Sequence, residues 1–297
     1  MLNSKSILSR KQRYVLIKVL AMLSLVRWYN VLLINIGLYL SAVFLLHTSN
    51  DWLTTLTDYK LHLSMLSLSF LIMAGYIINA FYDFEKDLIN NPRGTVFSRI
   101  VSKSFCLNTY FLFNFIGTIF AFLVGWKILL YNSILCFALW FYSHKLRKKP
   151  FIGEFSAAIL TIAPFASLSI YYWKTDFKII LYIGFLFVLT LTREIIKKLV
   201  GMKGDLVIGD QSIPIIWGIP KTKILVISLM FISLLPIGIL FSEIKERPVF
   251  YYLIFCALMI LIALLMLIPA KNKSAFNSIN MMYKIILILS VFAITLA

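Results

Sequence analysis

Residues 61–87 read LHLSMLSLSFLIMAGYIINAFYDFEKD. An apolar run of this length predicts a membrane-spanning helix over about 61–84. Its end carries Asn79, Asp83 and Asp87 at i, i+4 and i+8. On a helix these three stack along one face, drifting by roughly 40° per step. Acids at the end of a membrane helix are costly to dehydrate, and they persist mostly beside a water-filled cavity, a metal or a cationic partner. One amide and two carboxylates suit a hard, oxygen-seeking cation such as Mg²⁺, which takes one or two carboxylates plus phosphate oxygens. The same residues would equally mark a helix end among the headgroups. Spacing alone leaves both readings open.

Outward from this stretch, the whole chain has the same character. Of 297 residues, 61% are hydrophobic and 14% charged, which predicts an all-α, polytopic membrane protein. Cys106, Cys136 and Cys256 each stand alone in an apolar run, and so read as small buried hydrophobes. His47, His62 and His144 share no ligand spacing, so neither zinc nor haem is expected. The apolar stretch after the basic N-terminus is too long for a signal-peptide core and reads as a retained first span.

Nine spans are expected, at about 19–46, 61–84, 104–124, 127–143, 152–173, 178–197, 222–242, 249–269 and 280–296. They would surround a central cavity open to the cytoplasm. The domain reading is a basic tail over 1–18 and one membrane domain over 19–297. Connections alternate between basic (85–103, 144–151, 198–221, 270–279) and charge-poor (47–60, the turn at Gly125, 174–177, 243–248). With nine spans, every basic loop falls on the side of the basic N-terminus. The positive-inside rule then puts that side in the cytoplasm and the C-terminus outside. The net charge of +17 is thus a matter of orientation and predicts no nucleic-acid partner. The cluster Lys145 to Lys149 either sets topology or binds anionic lipid or a phosphorylated substrate. Within span 1, Arg27 and Asn30 either reach the cavity or, for Arg27, snorkel to the interface.

A second polar segment follows span 6: Arg193-Glu194-Ile195-Ile196-Lys197-Lys198, then Gly204-Asp205 and Gly209-Asp210-Gln211-Ser212-Ile213-Pro214. Taken with Asn79, Asp83 and Asp87, the chain resembles the UbiA superfamily of intramembrane prenyltransferases. The nearest branch is the bacterial group likened to geranylgeranylglycerol-phosphate geranylgeranyltransferases. Ile89-Asn90-Asn91-Pro92, Tyr142-Ser143-His144-Lys145-Leu146 with Pro150 and Gly153, and Ile213-Pro214 resemble further family segments. The resemblance implies Mg²⁺ held by Asn79, Asp83 and Asp87, with Asp205 also catalytic. It implies substrate contacts at Arg27, Asn30, Tyr142, Lys145, Arg193, Lys197 and Lys198. A prenyl diphosphate would ionise there and pass its chain to an aromatic or glycerol-phosphate acceptor in the bilayer. Tyr76, Phe81, Tyr82, Phe84, Tyr142 and Phe155 are candidate aromatic walls for the allylic cation.

The second motif departs from the family. Carboxylates that the resemblance leads one to expect at 198, 200, 201 and 203 are absent, and Lys198 and Lys203 replace two of them. Gln211 stands where a basic residue is usual, and Ala80 where an acid often follows the asparagine. Lys198 is therefore expected to serve as a point counter-charge for phosphate in place of a second ion. The preferred expectation is a transferase. The alternatives are a chain that binds a polyprenyl lipid or a partner without turnover and, third, a transporter.

Overall fold

In lipid, every backbone N–H and C=O must be satisfied within its own segment, and this chain does so with helices. The structure is a computed structural model that describes residues 9–46, 52–90, 101–174, 177–244 and 248–296. His47, Asn91 and Pro92, named above, lie outside the described residues. The helices are α1 (Arg10–Leu25), α2 (Trp28–Ser41, continued by a π-helical turn Ala42–Leu46), α3 (Trp52–Leu56) and α4 (Tyr59–Asn90). They continue with α5 (Lys103–Val124), α6 (Trp126–His144), α7 (Ile152–Tyr172), α8 (Phe177–Ile208), α9 (Ile213–Ile244), α10 (Val249–Leu267) and α11 (Lys273–Ala293). Among the described residues, 8 helices are long and apolar enough to cross a membrane. α6 is the ninth long helix. Its Lys127, Asn132, Ser133 and His144 keep it outside that set, although it packs inside the bundle.

Three expectations about the spans need correction. Span 1 is not continuous over 19–46. It breaks at Arg27, whose backbone is left-handed (φ 50°), and α1 begins at Arg10 within the stretch read as a tail. Spans 2 and 6 do not end with their apolar runs at 84 and 197. α4 and α8 each contain 32 residues, or about 48 Å of helix against an apolar core of about 30 Å. Both polar motifs therefore ride on helical extensions rather than on loops. Span 7 begins early, at Ile213, with a non-helical break at Gly218 (φ 74°) just before Pro220.

The helices form a closed ring in which α2, α4, α6, α7, α8 and α11 each touch the next, and α11 returns to α2. α5 packs outside against α4 and α6, while α9 and α10 pack outside against α8 and α11. At one end the interior is filled by Leu38, Leu61, Met65, Leu68, Leu135 and Leu168. Midway, polar side chains tie the ring together. Ser67 donates to the Gly117 carbonyl (2.7 Å), Asn132 donates to Ser67 (2.8 Å), and Ser167 donates to Asn132 (3.4 Å). Such bonds join helices in lipid, where burying apolar surface supplies little drive. Phe111, Phe115 and Phe122 project from the outer face of α5, as a lipid-facing surface requires. The open end of the ring is where the polar extensions of α4 and α8 meet.

Candidate active site at the mouth of the bundle

A single asparagine clamps the two extensions together. Asn90, at the end of α4, donates to the Gly201 carbonyl (3.3 Å) and accepts from the Gly204 amide (3.1 Å) on α8. The approach is so close that a Cβ on Gly204 would lie 2.3 Å from Asn90 Nδ2. The acidic ladder of α4 and the basic-acidic segment of α8 are thereby held against each other.

On α4, Asp83 is buried and ion-paired with Arg147. Asn79 Oδ1 is buried and has no hydrogen-bond partner among the described residues. Asp87 stands in the field of Arg27, Lys86 and Lys197. Lys86, one position before Asp87, pairs with Asp205 and reaches Asp210 Oδ2 at 3.2 Å. Asp205 is fully buried, and neither of its oxygens has a hydrogen-bond partner beyond that ion pair.

On α8, Lys197 donates to both carboxylate oxygens of Glu194 at 2.8 Å. Its side chain lies deep in the bundle yet is 43% accessible, so it lines an open interior space rather than packed core. Arg193 Nε is buried without a partner. Lys198 Nζ lies 3.9 Å from Glu154, at the start of α7, and stands in the field of Lys86, Asp205 and Arg147. Arg27, displayed by the helix break, lies over the Tyr76 ring at 5.3 Å from its centroid, and Asn30 adjoins the same tyrosine. Tyr142 faces Glu194, Glu154 and Arg27. Of the other aromatic candidates, Tyr82 turns away to His144 (3.1 Å) on α6. Phe155 packs edge-on against Phe187.

Lys145 is exposed, and no ion pair joins it to this cluster among the described residues. The cation that enters from the same segment is Arg147. A single 3-10 turn, Leu146–Lys148, followed by Phe151 at positive φ (62°), swings it inward. Gly153 permits this turn, because a Cβ there would stand 2.9 Å from the Arg147 carbonyl. Burial pushes the Arg147 guanidinium down to about 10, opposed by the fields of Asp210, Asp205 and Glu194, so it stays cationic at neutral pH. Sequence reasoning had not selected Arg147, Lys86, Asn90, Glu154 or Asp210 as site residues. Lys86 and Asp210 sat in plain view inside the two motifs, but nothing in their spacing named their partners.

The two acidic arms differ as metal hosts. The first offers Asp87, the unpartnered oxygen of Asn79 and the second oxygen of Asp83, whose Oδ1 pairs with Arg147; this donor set fits one divalent ion shared with phosphate oxygens. The second offers only Asp205 and Asp210, and Lys86 already bridges them. Among the described residues, no three Asp, Glu, His or Cys side chains converge into a ready-made metal cage.

A ring of membrane helices whose polar mouth carries a carboxylate ladder facing an array of Lys and Arg defines the class: a polytopic integral membrane protein with a charged entrance. The chain belongs to the UbiA prenyltransferase family, whose family model matches residues 38–286. It is 32% identical over 216 residues to a digeranylgeranylglyceryl phosphate synthase of Methanosphaera stadtmanae, covering 71% of this chain and 74% of the relative. A synthase of the same name from Methanobrevibacter smithii is 29% identical over 186 residues; the match covers 59% of this chain and spans 65% of that relative's length. A solved structure concerning digeranylgeranylglyceryl phosphate synthase superposes with a TM-score of 0.69 at 23% identity, covering 93% of this chain and 97% of the other. A UbiA homologue from Archaeoglobus fulgidus, bound to GPP and Mg²⁺, superposes at 0.64 with 18% identity, over 92% of this chain and 99% of the other.

Proposed function

We propose that this chain transfers an isoprenoid from a prenyl diphosphate to a phosphorylated glycerol lipid at the open mouth of the ring. The observation that carries the reading is the Asn90 clamp, which brings the ladder of α4 and the cations of α8 to one place. Asn79, Asp83 and Asp87 would hold Mg²⁺. When bound, Mg²⁺ supplies a Lewis acid that neutralises charge building on the departing diphosphate. Arg193 and Lys197 bind and orient the phosphates, and Arg27 closes on them from α2. The packed ring shields the reacting carbon from water. Tyr76 and Tyr142 present aromatic faces to the developing allylic cation.

The bond that breaks joins C1 of the prenyl chain to the diphosphate oxygen, which leaves with both electrons. A lone pair of the acceptor hydroxyl then forms the new C1–O ether bond, and the hydroxyl proton goes to the released diphosphate. The acceptor is read as a glycerol lipid that carries its own phosphate. The relatives' name points the same way. The charge pattern of the connections supports a mouth facing the cytoplasm.

The test uses purified full-length protein in detergent with Mg²⁺, prenyl diphosphates of several lengths, and geranylgeranylglyceryl phosphate or an aromatic acid as acceptor. Diphosphate release that depends on the glycerol lipid is expected. Absence of diphosphate release with every donor and acceptor overturns the proposal. In the same assay Arg193→Ala is expected to raise KM for the prenyl diphosphate about 10- to 100-fold. That is the value of a charge-assisted hydrogen bond, about 1.5–3 kcal/mol. An unchanged KM would remove Arg193 from the diphosphate.

A further inference from the structure

The second acidic arm contains a cation of its own. Lys86 leaves the ladder face of α4, crosses to α8, pairs with Asp205, and lies 3.2 Å from Asp210. Its side chain is 11% accessible and that of Asp205 is 0%, so the contact sits away from solvent. A charge so placed is screened little, and removing it from its partners is expensive. Any divalent ion approaching Asp205 must evict this ammonium from two carboxylates. It would also enter the field of Lys198 and Arg147, which face the same position. Lys198 does not fill that role itself, because its ammonium is turned to Glu154 at 3.9 Å. The lysine that meets the carboxylates of this arm is on another helix, at position 86.

We propose that Lys86 permanently replaces a second divalent ion on the Asp205–Asp210 arm, so that this site binds a single metal ion, on the ladder of α4. The inference rests on the reading of the site as one for a diphosphate and a divalent ion. An ammonium carries one charge and three donors. It can donate to both Asp205 and Asp210, offsetting one of their two charges, while offering its remaining donor to a phosphate oxygen. Unlike a metal ion, it does not dissociate.

The test counts Mn²⁺ on the purified full-length protein by electron paramagnetic resonance and equilibrium dialysis. Counts are taken with and without geranyl thiolodiphosphate, a prenyl diphosphate analogue that resists ionisation. One ion per chain is expected on the wild type, two on Lys86→Met, and one on Lys86→Arg. Two ions on the wild type overturn the inference and leave the proposed function standing. No ion on the wild type, even with the analogue present, overturns both. A folded Lys86→Met that still holds a single ion overturns the inference as well. Should Lys86→Met fail to fold, the wild-type count decides alone, since one ion upholds the inference and two defeat it.

Discussion

Asp83→Asn is expected to abolish prenyl transfer and weaken the fold together, whereas Asp87→Asn abolishes transfer and leaves the fold intact. Both substitutions remove a carboxylate from the ladder that would hold the ion against the diphosphate. Loss of such electrostatic stabilisation lowers turnover by about 100- to 1,000-fold. They differ in what is left behind. Asp83 is 7% exposed and paired with Arg147, which stays cationic at neutral pH. An amide at 83 strands that guanidinium, and breaking a buried pair from one side costs about 3–5 kcal/mol. Asp87 faces three cations but makes no direct ion pair among the described residues, so its loss strands no bonded partner. Turnover of labelled prenyl diphosphate and thermal unfolding in the same detergent separate the two effects. Equal melting curves for the two variants would show that the Asp83–Arg147 pair does not hold the mouth together.

Gly204→Ala is expected to reduce turnover about 100-fold through geometry alone, since a displacement of about 1 Å in a positioned site has that effect. The new methyl would occupy the place of the Asn90 amide, 2.3 Å from its nitrogen. It would expel the side chain that accepts from the Gly204 amide and donates to Gly201. The ladder of α4 and the cations of α8 would then separate. The effect should fall on kcat more than on KM, because each arm keeps its own charges. Pairing Gly204→Ala with Asn90→Ala removes the clash and should recover part of the loss. If Asn90→Ala alone leaves turnover unchanged, the clamp is not what aligns the arms.

The ladder was legible because i, i+4 and i+8 on an apolar helix admit one reading of face. The ring was legible because nine apolar runs alternate with basic and neutral connections. Helix ends were not. Hydropathy reports where lipid stops, whereas α4 and α8 continue as helix through the polar residues 85–90 and 198–208. Arg147 was hidden for another reason. It is one of five neighbouring residues in a basic cluster, His144 to Lys149, without periodicity. A 3-10 turn and one residue at positive φ decide which of these points inward, and neither leaves a clear mark in composition. Lys86 and Lys198 illustrate the same limit. Both positions are charged in the sequence, but the choice of carboxylate for each depends on how α4, α7 and α8 pack.

The pairs Asp83–Arg147 and Lys86–Asp205 bear on how the protein behaves when stripped of magnesium. Carboxylates that relied on a bound ion for neutrality would repel one another in chelating buffer, and the helices would splay. Here the polypeptide supplies internal counter-ions to Asp83 and Asp205, so the helices are expected to stay together in EDTA.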